Sequence, residues 1–544
     1  MKRLFALLSL LSTAAFGQTS DPAPDKFEAA DVHPSPHSDN NFDLFMRGPQ
    51  TRAGRYEIRT ATMVDLIATA YGVEQEKVFG GPNWLELDRY DITAKLPAGS
   101  TRDSQKAMLR ALLAERFHLV ARTDARPMPA YLLTAGKKVL LKDADPESKE
   151  QKGCHGKPRP QGSPPTTPIE VICHDLSAAD IASDLHDMAG GYLHQTVVDS
   201  TNLKGRYDFE IKWTGRNQLQ AAGADGISIF DAVDRQLGLK LDLQKAPLPV
   251  VLVESVDQKP TPNAPDIGKI LPGVAIPKEF EVATVRLSDP DSKNQRFQIQ
   301  PSGRIDIDGF DLKFIIGQLW QLSDEMIIGA PKWLSDVKVT ITAKAPSTAV
   351  VAGENGPPID IDTLIAMLQN LIVERFKLQT HMEERPINAY TLLAGKPKMK
   401  PADPNGRIHC VEGPAADQRD VRDSRPILGR LLNCQNMTME RFAGMLQGLA
   451  SGYIRAPVLD ATGLTGAWDF TLSFSTIGQL RGGAARPGDG AAPPAAPSGE
   501  ASDPNGALSL PDAISKQLGL RLEQTKRPVK VLVIDHVEQT PIEN

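Results

Sequence analysis

Several groups of residues in this chain have types and spacings that could do chemistry. Cys154-His155 and Cys173-His174 form a CH…CH pattern of zinc-ligand types. Further on the pattern is lost, because the matching pairs are His409-Cys410 and Cys434-Gln435. Asp199 and Asp460 open a D-x-T-x-L-x-G turn. A carboxylate there could act as a general base, but Asp also closes turns by accepting nearby backbone N–H groups. The sequence supplies no obvious acid or nucleophile to work with it. Arg116 and Arg375 follow Glu115 and Glu374, and Arg126 and Arg385 precede proline. Together they could gather an anion, although such charges more often line a solvated face or cap helix carbonyls. Trp84 and Trp333 sit in Gly-x-Pro-x-Trp loops. An indole there could stack on a sugar or anchor a protein partner, or close the loop over its own core. Binding residues concentrate on loops, so Trp84 and Trp333 are the candidate binding residues. Ser335-x-x-Lys338 fits the Ser-x-x-Lys nucleophile motif, but its companion motifs are missing and the first copy of the repeat has Glu86 and Arg89 there. The sequence contains no HExxH, Walker A or GxSxG. No catalytic residue, metal ligand or cofactor is therefore assigned.

These residues sit in a duplicated frame. FEAADVHPS (27–35) returns as FEVATVRLS (280–288), FGGPNWL (79–85) as IGAPKWL (328–334), and ITAK (92–95) unchanged at 341–344. MLRALLAERFHL (108–119) returns as MLQNLIVERFKL (367–378), VVDSTNLKGRYDF (197–209) as VLDATGLTGAWDF (458–470), and QLGLKL (236–241) as QLGLRL (517–522). Matches in one order over such a span define a repeat. Copy 1 covers 24–262 and copy 2 covers 277–544, joined by a Pro-rich linker at 263–276. A weaker echo divides each copy again. DRYDI (88–92) resembles GRYDF (205–209), and residues 114–133 align without gaps on 234–253, a shift of 120.

The elements that must hold these residues are also legible. Met63, Leu66, Ile67 and Ala70 have helical spacing, as do Met108, Leu109, Leu112 and Leu113 and their partners Leu364, Met367, Leu368, Leu371 and Ile372. Phe209, Ile211 and Trp213 alternate as a half-buried strand, while Val250–Val253 and Val531–Ile534 are apolar runs suited to central strands. Pro127, Pro247, Pro386 and Pro528 are expected at strand entrances, since proline gives a ladder no donor. The order of elements predicts α+β: two homologous copies, each of two related α/β subdomains, with helices packed on mixed or antiparallel sheets. Residues 143–170 and the Gly-, Ala- and Pro-rich insertion 480–507 are expected to be disordered.

The N-terminus predicts export. Lys2 and Arg3 precede an apolar stretch from Leu4 to Phe16, and Ala15-Phe16-Gly17 offers a cleavage site after Gly17, so 1–17 reads as a signal peptide. No cysteine follows to carry a lipid anchor, and no later stretch is long and apolar enough to span a bilayer. In an exported chain four cysteines suggest disulfides. Cys154 and Cys173, 19 apart, and Cys410 and Cys434, 24 apart, occupy matching places in the copies and are expected to pair within each copy. A formal charge of −6 gives no electrostatic reason to expect nucleic acid.

The run FEVATV, GAPKWL, ITAK, MLxxLIVERFKL, the Cys pair, VLDATGLTGAWDF, QLGLRL and VLVIDHVE resembles a soil-associated secreted family, a domain of unknown function expanded in acidobacterial genomes. The resemblance spans both copies. Similar domains fused to BlaR-like membrane metallopeptidases imply extracytoplasmic sensing or binding; this chain lacks the peptidase. A shorter stretch, 227–253 and its copy 2 partner, is similar to the small N-terminal domain of secretins and TonB-dependent receptors, a periplasmic interaction module. The expectation is a periplasmic or secreted, non-enzymatic binding or sensing module whose partner is a protein or cell-envelope ligand. The alternatives are a cell-envelope hydrolase and a secretion-complex assembly component.

Overall fold

The computed structural model describes residues 26–36, 46–480 and 506–542, apart from 53, 146, 148–149, 160–162, 165, 273–276, 290–294, 351–358, 404–405, 416–419 and 426. The expected leader 1–17 and nearly all of the insertion 480–507 lie outside the described residues. Among those residues, no helix is long and apolar enough to cross a membrane.

Copy 1 begins with strands β1 (Ala29–Pro34), β2 (Arg47–Arg52) and β3 (Arg55–Thr62), then helix α1 (Met63–Tyr71), β4 (Val78–Gly80), β5 (Arg89–Lys95), α2 (Arg102–Phe117) and β6 (Val120–Ala135). Its second half has β7 (Lys142–Asp143), β8 (Gly153–Gly156), β9 (Ile169–Leu176), α3 (Ala178–Met188), β10 (Val197–Asp199), β11 (Tyr207–Trp213), α4 (Leu219–Ala222), α5 (Ile229–Ala232) and β12 (Leu239–Ser255). A short helix α6 (Ile267–Ile270) lies in the linker. Copy 2 repeats the plan with β13 (Val282–Leu287), β14 (Arg296–Ile299), β15 (Arg304–Asp311), α7 (Leu312–Trp320), β16 (Ile327–Ile328), β17 (Lys338–Lys344), α8 (Ile361–Arg375) and β18 (Gln379–Ala394). It ends with β19 (Lys400–Pro401), β20 (His409–Glu412), α9 (Val421–Ser424), β21 (Arg430–Thr438), α10 (Met439–Leu449), β22 (Val458–Asp460), β23 (Ala467–Phe474), α11 (Ile477–Leu480), α12 (Leu510–Ala513) and β24 (Leu520–His536). The class is α+β, as the sequence predicts.

Local chemistry sets the boundaries. Thr62 accepts from the N–H of Asp65 while Asp65 reaches back to Thr62, a reciprocal cap that starts α1. Thr101 with Ser104 does the same for α2, and Ser177 with Asp180 for α3. In β5 and β11 every second residue is buried, so one face of each sheet meets its helices.

Among the described residues each copy forms three four-stranded sheets, ordered in copy 1 as β1-β5-β3-β2, β10-β6-β12-β4 and β7-β11-β9-β8. The middle sheet joins the subdomains. Strands β6 and β12 run antiparallel along nearly their whole length, with Pro127 opposite Pro247. These prolines are equivalent under the 120-residue shift, so the ribbon has a pseudo-two-fold axis between them. Copy 2 places Pro386 opposite Pro528 in the same way. The subdomains also exchange edges: β4 of the first pairs with β12 of the second, and β10 of the second with β6 of the first. Val251 and Val253 thus complete the first core, and Tyr131 and Leu133 the second. The related halves are interlocked rather than independent.

Two expectations are corrected. The four prolines lie mid-strand, not at strand entrances. Among the described residues no third strand runs alongside that part of the ribbon, because β10 reaches only Tyr131 to Leu133 and β4 only Val251 to Val253, with β22 and β16 placed alike in copy 2. A proline whose nitrogen points outward there breaks no ladder bond. Within 143–170, residues 153–156 form β8, with Cys154 directly opposite Cys173 on β9.

The Leu-Gly-Leu motif also has a structural cause. Gly238 and Gly519 end their helices in left-handed conformation, at φ 66° and 69°. A Cβ on Gly519 would overlap the carbonyl oxygen of Lys396. Gly519→Ala is expected to cost about 2 kcal/mol or more, since left-handed strain adds to a backbone clash. Equilibrium urea unfolding checks it.

Candidate binding surface at the joint between the copies

The sequence-predicted residues divide by what they hold. Cys154 bonds Cys173, and Cys410 bonds Cys434. The CH…CH pattern is therefore spent on a disulfide and offers no thiolate to a metal. Among the described residues, no group of three or more His, Cys, Asp and Glu side chains could share a metal ion. Asp199 Oδ1 accepts from the N–H of Thr201 at 2.9 Å and from its hydroxyl at 2.7 Å, and Asp460 accepts from the N–H of Thr462 at 2.9 Å. Both close turns. Ser335 is exposed at the end of a 3₁₀ turn, while Lys338 begins β17.

Arg116 departs from both readings of it. It is buried and donates Nε to the carbonyl of Thr261 at 3.1 Å, Nη2 to Asn263 Oδ1 at 2.6 Å and Nη1 to the carbonyl of Ala30 at 3.3 Å. Asn263 in turn accepts from the N–H of Val32 and donates to its carbonyl. Arg116 is thus a buried anchor that straps the start of the linker across the edge of β1. Arg126 lies over the Phe79 ring at 5.2 Å, and Arg385 pairs with Glu383. Arg116, Arg126 and Arg385 are thus engaged in separate places and do not gather at one anion site.

Trp84 and Trp333 stand in matching 3₁₀ turns, Asn83–Glu86 and Lys332–Ser335, and both are partly buried against their own subdomain cores. The turn of copy 1 is also a contact point. Glu86 accepts from Arg407 Nε at 2.9 Å, Arg407 also donates to the carbonyl of Val78, and Arg441 donates to the carbonyl of Glu86 at 3.4 Å. Arg407 and Arg441 belong to copy 2. Burial pushes the Arg441 guanidinium pKa down, and Glu86 opposes that shift.

Two further groups complete the joint. Asp420 of copy 2, only 4% exposed, meets His194 Nε2 and Arg216 Nη2 of copy 1 at 3.2 Å each. Arg422 of copy 2 grips the same carboxylate, with Nε 3.0 Å from both oxygens. Burial alone would raise the Asp420 pKa. Bonds from His194 and Arg422 and the charge of Arg216 outweigh it and hold the carboxyl far below its usual range. On the first subdomain, Arg59 of β3 reaches Asp360 at 2.6 Å and Asp362 at 3.0 Å, and Arg47 of β2 reaches Asp362 at 3.2 Å. Asp360 caps the N-terminus of α8, so the ion pair and the helix cap share one carboxylate.

The joint is polar, while each hydrophobic core stays within one copy. Several of its residues differ between the copies, although Arg47 and Asp362 are matched by Arg296 and Asp103. Glu86 corresponds to Ser335, His194 to Arg455, Arg216 to Ile477, and Arg441 to Asp180. Sequence reasoning missed this set; divergence at matched positions was the signal that could have found it.

Residues 64–256 and 313–537 match the model of a family described as a protein of unknown function, DUF3738, once in each copy. No curated protein and no solved structure matches the chain.

Proposed function

We propose, for a chain that belongs to the DUF3738 family and carries its domain twice, that it is an exported, non-enzymatic binding or sensing module of the cell envelope. The observation that carries this reading is the use of the Gly-x-Pro-x-Trp turn in copy 1 as a docking point, where Glu86 receives Arg407 and Arg441. One module here recognises another through that turn. Copy 2 repeats the turn around Trp333, with exposed Lys332 and Ser335 replacing Asn83 and Glu86. A basic turn beside a partly buried indole suits an acidic protein segment as the outside partner. The paired disulfides support an oxidising compartment. The leader at 1–17 and the acidobacterial source belong to the same proposal.

The test immobilises the purified chain and challenges it with cell-envelope extract. A partner captured by the wild-type chain and by Trp84→Ala, but lost on combining Trp333→Ala with Lys332→Glu, is the expected result. Undiminished capture by that double variant, with its melting curve intact, would overturn the reading.

A further inference from the structure

The joint brings together two different faces. Copy 1 offers its β2–β3 hairpin, through Arg47 and Arg59, and the turn at Glu86. Copy 2 offers the N-terminus of α8, through Asp360 and Asp362, together with Arg407 and Arg441. A two-fold joint would also bring the hairpin of copy 2 to the N-terminus of α2 in copy 1, pairing Arg296 with Asp103. Among the described residues that pair is not formed. The Asp103 side chain is 93% exposed and meets Lys106 of its own helix at 3.3 Å, while Arg296 is exposed on β14. The contact is therefore heterologous, and a heterologous contact leaves one unused face of each kind on every chain.

The two unused faces are complementary in charge. Arg296 holds the place of Arg47 and Asp103 the place of Asp362, so one ion pair of the joint is available again in kind. Asp103 lies in the first turn of α2 as Asp362 does in α8. Around this pair the charges reverse together. The copy 1 turn has Glu86, whereas that of copy 2 has exposed Lys332 and Ser335, with exposed Arg455 in the place of His194. Arg441 on α10 meets Glu86, whereas α3 has Asp180 at that position, followed by Asp184 and Asp187 on the same side of the helix. Burial and the charges of Asp180 and Asp187 push the Asp184 pKa up, the mark of crowded carboxylates. Inside the chain an acidic turn meets a basic helix; left outside are a basic turn and an acidic helix. We propose that the chain associates head to tail with a second copy of itself, the hairpin and tryptophan turn of copy 2 docking on the α2–α3 face of copy 1 in the next chain. This rests on the reading of the copy 2 turn as a docking point and names its acidic partner. Asp308 and Thr101 replace Arg59 and Asp360, so the contact between chains has fewer ion pairs than the joint. It also lacks the linker that raises the effective concentration of the two copies. It is therefore weaker than the joint and concentration-dependent.

The test is sedimentation equilibrium of the purified full chain over a concentration series, at low and at high salt. The expected result is reversible association beyond the monomer, weakened by salt. Asp103→Arg and Arg296→Asp should each weaken it about tenfold or more, as for reversal of one charge in an interfacial pair. Lys332→Glu should act in the same direction. An equimolar mixture of Asp103→Arg and Arg296→Asp chains should recover association, because each supplies the charge the other lacks. Neither residue takes part in the joint, so both variants should melt as the wild-type chain does. A chain that stays monomeric throughout, association unchanged by any of the three substitutions, or no recovery in the mixture would overturn the inference. A monomeric chain that still captures another protein through the Trp333 turn overturns it and leaves the proposed function standing.

Discussion

Asp420→Asn is expected to destabilise the protein by about 3–5 kcal/mol at neutral pH, the range for removing one member of a buried ion cluster. The asparagine keeps the shape but removes the charge that balances Arg216 and Arg422 and receives His194. Two cations would then stay in a site of which the carboxylate was 4% exposed. The loss should appear as an earlier opening of the joint in urea, with hydrogen exchange rising around 192–194, 214–216 and 420–422. The acid limb gives a second check. Because the folded Asp420 carboxyl is held below its unfolded value, about 3.9, its contribution is complete above that value. It fades as pH falls through the lower folded one. Stability curves of the wild-type chain and Asp420→Asn should therefore converge in strong acid and lie furthest apart near neutrality. A constant gap at all pH values would count against the charge as the cause.

The second large effect is reduction. Each disulfide closes a loop, with sequence separations of 19 and 24, and its loss is expected to cost about 3 kcal/mol. The two are not equivalent in consequence. Cys410 lies on β20, the strand that follows Arg407 and ends at Glu412, a partner of Arg422. Replacing Cys410 and Cys434 with serine should free β20 and loosen the joint as well as lower stability. Replacing Cys154 and Cys173 should lower stability by a similar amount and leave the joint closed, since among the described residues β8 makes no ion pair with copy 2. Denaturant unfolding with exchange measured at Val78 and Glu86 separates the outcomes. Equal loosening by both pairs would show that the joint does not depend on the β20 hairpin.

The duplication, the helix of Met63–Tyr71, the alternating strand of Tyr207–Trp213 and the cysteine pairing were all legible, because each is a local pattern or a repeated one. The internal echo also identified residues that prove equivalent, Pro127 and Pro247. It could not reveal that they face one another across a ribbon or that each half finishes the other's core. Strand exchange leaves the spacing of residues unchanged. The prolines were misplaced for the same reason: whether a third strand runs beside them is a property of the sheet. Arg116 carried no periodic signal of its strap, since Thr261 and Asn263 lie far along the chain. The joint was invisible because repeats draw attention to what the copies share. Glu86, Arg407, His194 and Asp420 work where the copies differ, and Asp420 lies within the longer of the two disulfide loops, where the sequence separations are 24 and 19.

The claim that the tryptophan turn of copy 1 receives copy 2 is tested most directly by a charge-swap cycle in the full chain. Glu86→Arg, Arg407→Glu and the two together are compared by urea unfolding, with hydrogen exchange at Val78 and Glu86 as the local readout. The expected result is that each single change opens the joint and that the double change restores much of the loss. The coupling should be about 1–3 kcal/mol, as for residues in direct ionic contact. Simple addition of the two single effects, with no recovery in the double variant, would contradict the docking role of this turn.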